Sequence, residues 1–156
     1  MIITVATGVG RGPTRVAAFD SALHARGVGD NNLIRLSSVI PPGTDIVRGK
    51  GATPDDEYGH RLYCVIATGE VTQKGHVAAA GIGWIQGEDK RGLFVEIEGH
   101  STQEVEQNIH ATLDHMRLSR DYNYAQVNHE IIEEECLEDG EHTCVVVVAV
   151  YQSEPW

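Results

Sequence analysis

The sequence predicts a single α+β domain in which helices cover antiparallel or mixed sheet. Short apolar runs bounded by glycine and proline recur along the chain, and two helical segments interrupt them. The resulting order is a strand, a helix, several strands, a second helix and two last strands. A chain of 156 residues has the length of one domain and can bury a core without disulfides.

The chain is expected to begin with a strand, a turn and a helix. Residues 2–6 are apolar and strand-like, and the glycine-rich segment 8–13 predicts a turn. A helix over 14–26 follows, with Thr14 as its N-cap and Gly27 at the position where a glycine commonly ends a helix.

A second strand is predicted over residues 32–40. Two prolines end it, because proline has no N–H to donate inside a sheet. Residues 43–59 are rich in glycine, proline and charge and predict an exposed loop.

The remaining two thirds of the chain predict five strands and a second helix. Ser101 and Glu104 form a capping box that starts this helix, and apolar residues every three or four positions give it one buried stripe. The helix is expected to run to about residue 120, and the strands cover 60–67, 76–85, 92–99, 124–132 and 144–151.

Composition excludes several classes of partner. The formal net charge is −11 with only three lysines, which argues against nucleic acid, since phosphate binding needs clustered cations. No apolar run approaches the roughly 18 residues of a membrane span, and the N-terminus lacks the basic start of a signal peptide. We therefore expect no membrane partner and a cytoplasmic location. The three cysteines are irregularly spaced, which predicts reduced thiols.

Nucleotide and metal sites are not favoured by the motifs. The glycine segment 8–13 has proline where a dinucleotide-binding turn has its third glycine. His129, Cys136, His142 and Cys144 lie in the last 30 residues but lack the paired spacing of a zinc site. We expect no metal.

Two acidic positions suggest chemistry. On the strand 92–99 the two-residue period sends Glu96 and Glu98 to the same face as an aromatic ring, and a carboxyl covered there could hold a proton near neutral pH. Asp20 stands in the middle of the first helix, where aspartate has poor helix propensity. Solvated surface residues are the alternative interpretation of both.

Ser37 and Ser38 stand between the second strand and the double proline. A serine hydroxyl beside a constrained peptide bond can attack the preceding carbonyl and form an ester. Elimination and hydrolysis then leave a pyruvoyl group. The constraint on both sides of this pair favours such chemistry.

The residues around this pair resemble the pyruvoyl-dependent arginine decarboxylase family. The similarity runs through "TGVGRGPTRVAAFDSALHARGVGDNNLIRLSSVIPPGTDIV" (7–47) and "GLFVEIEG" (92–99), and more loosely to the last strand, while 48–75 departs from the family's pattern. It implies a four-layer αββα sandwich and homotrimers, or dimers of trimers, with sites between protomers.

The resemblance also implies roles for individual residues. Cleavage between Ser37 and Ser38 would give a β chain of 1–37 and an α chain of 38–156, with the pyruvoyl group at position 38 and no metal. Glu96 corresponds to the proton donor and Asp20 to the residue that binds the guanidinium of arginine. Val16 corresponds to a pocket-lining position, and Asn32 to an asparagine tied to processing and the site. Ser37 is expected to contact the substrate as well as to precede the cleaved bond.

The expected reaction is decarboxylation of L-arginine to agmatine and carbon dioxide. The pyruvoyl ketone condenses with the α-amine and accepts the electron pair left by carbon dioxide, and an acid returns a proton to that carbon. Two alternatives stay open at this point. One is a pyruvoyl-dependent decarboxylase of another amino acid, and the other is an unprocessed, non-catalytic oligomer that binds a small cationic metabolite.

Overall fold

The computed structural model describes residues 1–51 and 53–156. It contains two α-helices and nine β-strands. The helices are α1 (Arg15–His24) and α2 (Thr102–Met116). The strands are β1 (Ile2–Gly12), β2 (Asn32–Arg35), β3 (Val39–Ile40), β4 (Asp45–Arg48), β5 (Arg61–Val71), β6 (Val77–Gln86), β7 (Gly92–Gly99), β8 (Asn128–Glu135) and β9 (His142–Glu154). Two short 3₁₀ turns cover Asp55–Glu57 and Arg117–Ser119.

The strands form two sheets, one mixed and one antiparallel. The first has the order β2-β5-β9-β1-β4, and the second has the order β3-β7-β6-β8. In the first sheet β9 lies antiparallel between β1 and β5, whereas the short strands β2 and β4 add in parallel at the two edges. The second sheet is antiparallel throughout.

The two sheets pack face to face and a helix covers each outer face. Alternate residues of β9 divide between the two sides: Val145, Val147 and Ala149 pack against the second sheet, whereas Val146 and Val148 pack under α1. The helix α2 packs its stripe on the outer face of the second sheet. The layers are therefore α1, first sheet, second sheet and α2, which confirms the α+β, four-layer sandwich.

Both helix starts follow their sequence signals. The Oγ1 of Thr14 accepts a hydrogen bond from the Ala17 N–H at 3.2 Å, and Ser101 Oγ accepts one from the Glu104 N–H at 3.2 Å. Gly27 has a φ of 70° after α1, the left-handed conformation expected of a glycine that ends a helix.

The predicted turn over 8–13 is wrong, because β1 continues through these glycines to Gly12. Gly8 and Gly10 lie beneath α1, and a Cβ on either would collide with helix backbone, namely the carbonyl oxygens of Ala22 and Ala18. These glycines let α1 approach the sheet closely. Pairing with β9 from Thr4 to Gly12 holds the segment extended.

Other boundaries also differ from the prediction. The predicted strand 32–40 is two strands, β2 in the first sheet and β3 in the second. The predicted loop 43–59 contains β4, which pairs in parallel with β1. The predicted strand 124–132 lies later, as β8. In each case pairing with a distant strand sets the boundary, which local residue preference cannot supply.

No helix in the described residues is long and apolar enough to cross a membrane.

Replacement of Gly10 by alanine should destabilise the fold by about 1–3 kcal/mol, because the added methyl group forces α1 away from β1. The measurement is urea unfolding. Gly49→Ala is the matched control, because its Cβ would meet only the Thr4 methyl at 3.6 Å. Equal midpoints for the two variants would contradict the close-packing role of Gly10.

Candidate active site

The Ser37–Ser38 pair lies where the chain crosses from one sheet to the other. The Leu36 N–H donates to the Cys64 carbonyl of β5 at 2.9 Å, which is the last backbone hydrogen bond to the first sheet before the crossing. Two residues later the Ser38 carbonyl accepts from the Phe94 N–H of β7 at 2.9 Å. The serine linkage is therefore held from both ends by different sheets.

The Ser38 hydroxyl faces Glu96. Its Oγ donates to Glu96 Oε1 at 2.6 Å, in a partly buried contact between residues 58 positions apart in sequence. Glu96 stands on β7 beside Phe94, on the face that meets the first sheet, as the two-residue period predicts. The strand thus presents a carboxylate to the Ser38 hydroxyl from inside the sandwich.

Burial raises the pKa of Glu96 above the ordinary value of a glutamate. The hydrogen bond from Ser38 and the positive charge of Arg35 act in the opposite direction and lower the pKa, but burial is the largest contribution. A carboxyl with a raised pKa can accept or return a proton closer to neutral pH.

The carbonyl of the peptide bond that joins Ser37 to Ser38 also accepts a hydrogen bond. The Val39 N–H donates to the Ser37 carbonyl oxygen at 2.7 Å, so the chain folds back tightly at Ser38. A donor on this oxygen polarises the carbonyl and stabilises negative charge that develops on it. The Ser38 hydroxyl and the polarised Ser37 carbonyl therefore lie in one turn of chain, and Glu96 of β7 contacts that hydroxyl.

Two residues near this turn were not predicted from the sequence. The Tyr151 hydroxyl donates to the Val39 carbonyl at 3.0 Å, and burial with the nearby Glu96 charge raises the pKa of this phenol. Tyr151 was recognisable only as the last inward position of β9. Arg35 precedes the crossing and brings positive charge close enough to act on Glu96.

A cavity of about 510 Å³ lies beside this pair. It lies along the edge of β5 from residue 66 onward. The strand β2 pairs with this edge only as far as Cys64, and beyond that point no strand of the described residues covers it. Its lining residues come from α1, β5, β7 and β9, with Arg35: Arg15, Val16, Phe19, Ile66, Ala67, Thr68, Glu70, Glu96, Ile97, Glu98 and Cys144.

Carboxylates, two arginines and one orphaned hydroxyl give this cavity its polar character. Glu70 is neutralised by Arg15, at 2.9 Å from Nε, and contacts His142 Nδ1 at 2.6 Å. Glu98 has no ion-pair partner within the described part of the chain. The Oγ1 of Thr68 is buried and lacks a hydrogen-bond partner among the described residues, which fits a polar group bound in the cavity.

The structure brings together some of the residues that the sequence singles out and separates others. Ser38 and Glu96 are in contact, Ser37 adjoins them, and Val16 lines the cavity. Asp20 lies one helical turn after Val16, is exposed, and contacts His24 Nε2 at 3.8 Å rather than the cavity.

Asn32 lies at the far end of β2, where its amide donates to the Gly59 carbonyl at 2.7 Å. Five residues of extended chain separate it from Ser37, a distance on the order of 16 Å. Within one chain, neither Asp20 nor Asn32 reaches the Ser38–Glu96 pair.

The structure does not bring together the four residues considered as zinc ligands, His129, Cys136, His142 and Cys144. His142 pairs with Glu70, whereas the Cys136 thiol contacts the Glu138 carbonyl at 3.1 Å. The three cysteines are free and buried, as the sequence predicts.

Formation of a pyruvoyl group at position 38 fits this arrangement. The residues present supply a hydroxyl, a proton acceptor at hydrogen-bond distance, a polarised preceding carbonyl and an adjoining cavity for a small molecule. Such a group needs no further residue to anchor it, because it remains part of the chain.

Comparison with known proteins agrees with this chemistry. A profile of the family described as Pyruvoyl-dependent arginine decarboxylase matches residues 2–155. A pyruvoyl-dependent arginine decarboxylase of Halobacterium salinarum strain R1 is 33% identical over 156 residues, which span 96% of this chain and 92% of the relative.

Shorter matches point the same way. Proteins with the same description are 35% identical over 82 residues in Methanothermobacter thermautotrophicus and 33% identical over 102 residues in Methanococcus vannielii. These cover 53% and 62% of this chain, and 52% and 57% of the two relatives. With the site geometry, the match over nearly the whole sequence shows that the chain belongs to the pyruvoyl-dependent arginine decarboxylase family, a family of carbon–carbon lyases.

Proposed function

We propose that this protein cleaves itself between Ser37 and Ser38 and then decarboxylates L-arginine to agmatine and carbon dioxide. The observation that carries the proposal is the 2.6 Å hydrogen bond from Ser38 Oγ to Glu96 inside a sandwich with an adjoining cavity. Family membership supplies the substrate and the pyruvoyl requirement.

Glu96 is the base of the cleavage step. As it takes the hydroxyl proton, Ser38 Oγ attacks the Ser37 carbonyl carbon, whose oxygen is hydrogen-bonded by the Val39 N–H. The peptide C–N bond breaks, the freed amine takes a proton from Glu96, and an ester joins the two serines.

The ester is then broken by elimination. Ser38 loses its Cα proton, and the Ser37 carboxylate departs with the electron pair of the C–O bond. Water hydrolyses the resulting enamine after its rearrangement to an imine, which releases ammonia and leaves a pyruvoyl group at the start of an α chain of residues 38–156. The β chain consists of residues 1–37.

The same carboxyl suits the later reaction as an acid. The hydrogen bond from Ser38 lowers the pKa of Glu96, and conversion of the serine removes that hydroxyl. Without that hydrogen bond, fewer interactions offset the effect of burial, so the pKa of Glu96 rises further and the protonated form is favoured. Glu96 therefore changes from proton acceptor to proton donor because the Ser38 hydroxyl that bonded it has been eliminated.

The bound pyruvoyl group supplies a carbonyl that condenses with the substrate amine and withdraws the electron pair left by carbon dioxide. Around it, Glu96 holds the proton for the substrate carbon, Tyr151 fixes the Val39 carbonyl, and Phe94 packs edge-on against Tyr151 at 6.2 Å between ring centroids. These contacts keep the turn at position 38 rigid.

Carboxylates at the cavity favour a cationic side chain. Glu98 lines the cavity and Asp20 lies one turn beyond Val16, where it can form a paired hydrogen bond to a guanidinium. Because Asp20 is exposed and outside the cavity of its own chain, we assign it, with Asn32, to the cavity of a neighbouring protomer.

A homotrimer with sites between protomers is consistent with that assignment. The β5 edge beside the cavity has no strand partner on one side in the described structure, and Val16 is 75% exposed at its rim. Association would cover both features.

Cleavage and turnover should respond to pH in opposite directions. Cleavage needs ionised Glu96, so its rate should rise as pH rises through the raised pKa of this group. Turnover needs protonated Glu96 and should fall as pH rises through the still higher pKa after conversion. Time courses on denaturing gels of freshly synthesised precursor measure the first, and carbon dioxide release from arginine measures the second.

Glu96→Gln should flatten both profiles and lower turnover of processed protein by about 10²–10⁴-fold. Glu88→Gln is the control, since Glu88 is exposed in the turn between β6 and β7. Two wild-type profiles that rise and fall together would refute the shared role of Glu96.

Complementation between two impaired variants, assayed at an arginine concentration below the raised KM, should reveal whether protomers share a site. Asp20→Asn should raise the KM for arginine at least about tenfold, because a hydrogen bond to a charged group is lost. Co-expression with the Glu96→Gln chain should restore activity, since a hybrid oligomer contains some sites with native Asp20 and native Glu96.

The control is a mixture of the two variants purified separately, which should show only the sum of their activities. Co-expressed chains with no activity above that sum would mean that each site draws both residues from one chain.

A further inference from the structure

We propose that the outer face of the second sheet carries a binding site for a divalent transition metal ion such as Zn²⁺. Its ligands are Glu106 and His110 of α2 and His129 of β8. One ligand atom from each side chain lies within 4.8 Å of the others. The proposal does not depend on the decarboxylase activity, and it departs from the expectation of no metal based on sequence spacing.

The helix and the strand each contribute at a fixed position. Glu106 and His110 are four residues apart on α2 and therefore project from the same side of the helix. His129 lies on β8, the edge strand of the second sheet. Its Nε2 is 3.2 Å from Glu106 Oε1, and its ring stands edge-on to that of His110 with centroids 6.2 Å apart.

Close packing beside the cluster holds these elements in place. Ile109, between the two helical ligands, is fully buried, and its side chain rests where a Cβ of Gly83 would stand. Gly83 is the direct strand partner of His129. The absence of a side chain at Gly83 brings α2 near the sheet at the level of His129, so the ligand geometry follows from the core.

The donor set matches the chemistry of zinc-like ions. Two imidazoles and one carboxylate bind Zn²⁺ at about 2.0–2.2 Å and leave a position for water, and imidazole suits Zn²⁺, Ni²⁺ and Cu²⁺ better than Mg²⁺. Ligands on a tetrahedral ion are about 3.3 Å apart. Small rotations of the exposed Glu106 and His110 side chains bring the ligand atoms, now within 4.8 Å of one another, to that spacing.

Competition from neighbouring charges is small. Glu106 contacts no lysine or arginine in the described structure, and the one side chain that pairs with its carboxylate is the His129 ring. Arg48 is held by Glu130 at 2.6 Å and stacks over Trp84 on the opposite face of the sheet. Glu96 also faces that inner side, which separates the proposed metal from the catalytic residues.

Isothermal titration of ZnCl₂ into chelator-treated protein without an affinity tag tests the proposal. We expect one saturable site per chain and a higher melting temperature with zinc, because the ion joins α2 to an edge strand. Mg²⁺ at the same concentration should produce neither effect.

His110→Ala and Glu106→Gln should each weaken zinc binding at least tenfold, since even loss of an outer-shell partner costs 10–100-fold. Both side chains are exposed, and circular dichroism checks that the variants fold. His115→Ala is the matched control, an exposed histidine on α2 outside the cluster, and should bind zinc like the wild type.

Wild-type protein without saturable zinc binding would overturn the proposal. So would equal zinc affinity of the wild type and the His110→Ala and Glu106→Gln variants, because the ion would then be bound elsewhere.

Discussion

The hydrogen bond between Ser38 and Glu96 depends on the crossing of the chain from one sheet to the other. Leu36 is the last residue bonded to β5, and Ser38 is already bonded to β7. This short connection holds the serine linkage between two rigid layers, and it leaves the β5 edge open for a cavity. A longer connection would give Ser38 freedom to turn away from the carboxylate, and the hydroxyl would then lose its hydrogen-bond acceptor.

The remainder of the sandwich keeps this geometry in place. Val39 pairs with Leu93 of β7, and the hydroxyl of Tyr151 reaches across from β9 to the carbonyl of Val39. On the outer side, Gly8 and Gly10 bring α1 onto the first sheet, so that Val16 and Phe19 form one wall of the cavity. The same core that stabilises the fold therefore places Ser38 and Glu96 beside the cavity.

Features set by local chemistry were predictable from the sequence. The caps at Thr14 and Ser101 and the inward face of Glu96 follow from rules that span a few residues. The resemblance to a family singled out Ser38 and Glu96, and the structure places these two side chains in contact. The four layers followed from that resemblance, and the structure contains them within a single chain.

Features set by distant pairing were not predictable. The glycines at 8–12 suggested a turn because a single sequence does not reveal the helix that packs on them. The segment 32–40 has the composition of one strand, and only the positions of β5 and β7 show that it divides between two sheets. Arg35 and Tyr151 were not predicted because their partners, Glu96 and Val39, lie far away in sequence. The sequence also gave no indication that Glu106 of α2 lies beside His129.

Intact mass spectrometry of the purified protein under denaturing conditions tests the central claim most directly. Self-cleavage through Ser38 predicts two chains, one of residues 1–37 and one of 38–156, the larger lighter by one ammonia than a chain that begins with serine. A single uncut chain of 156 residues would contradict the account, since a polarised carbonyl and a hydroxyl held by Glu96 would then have failed to react.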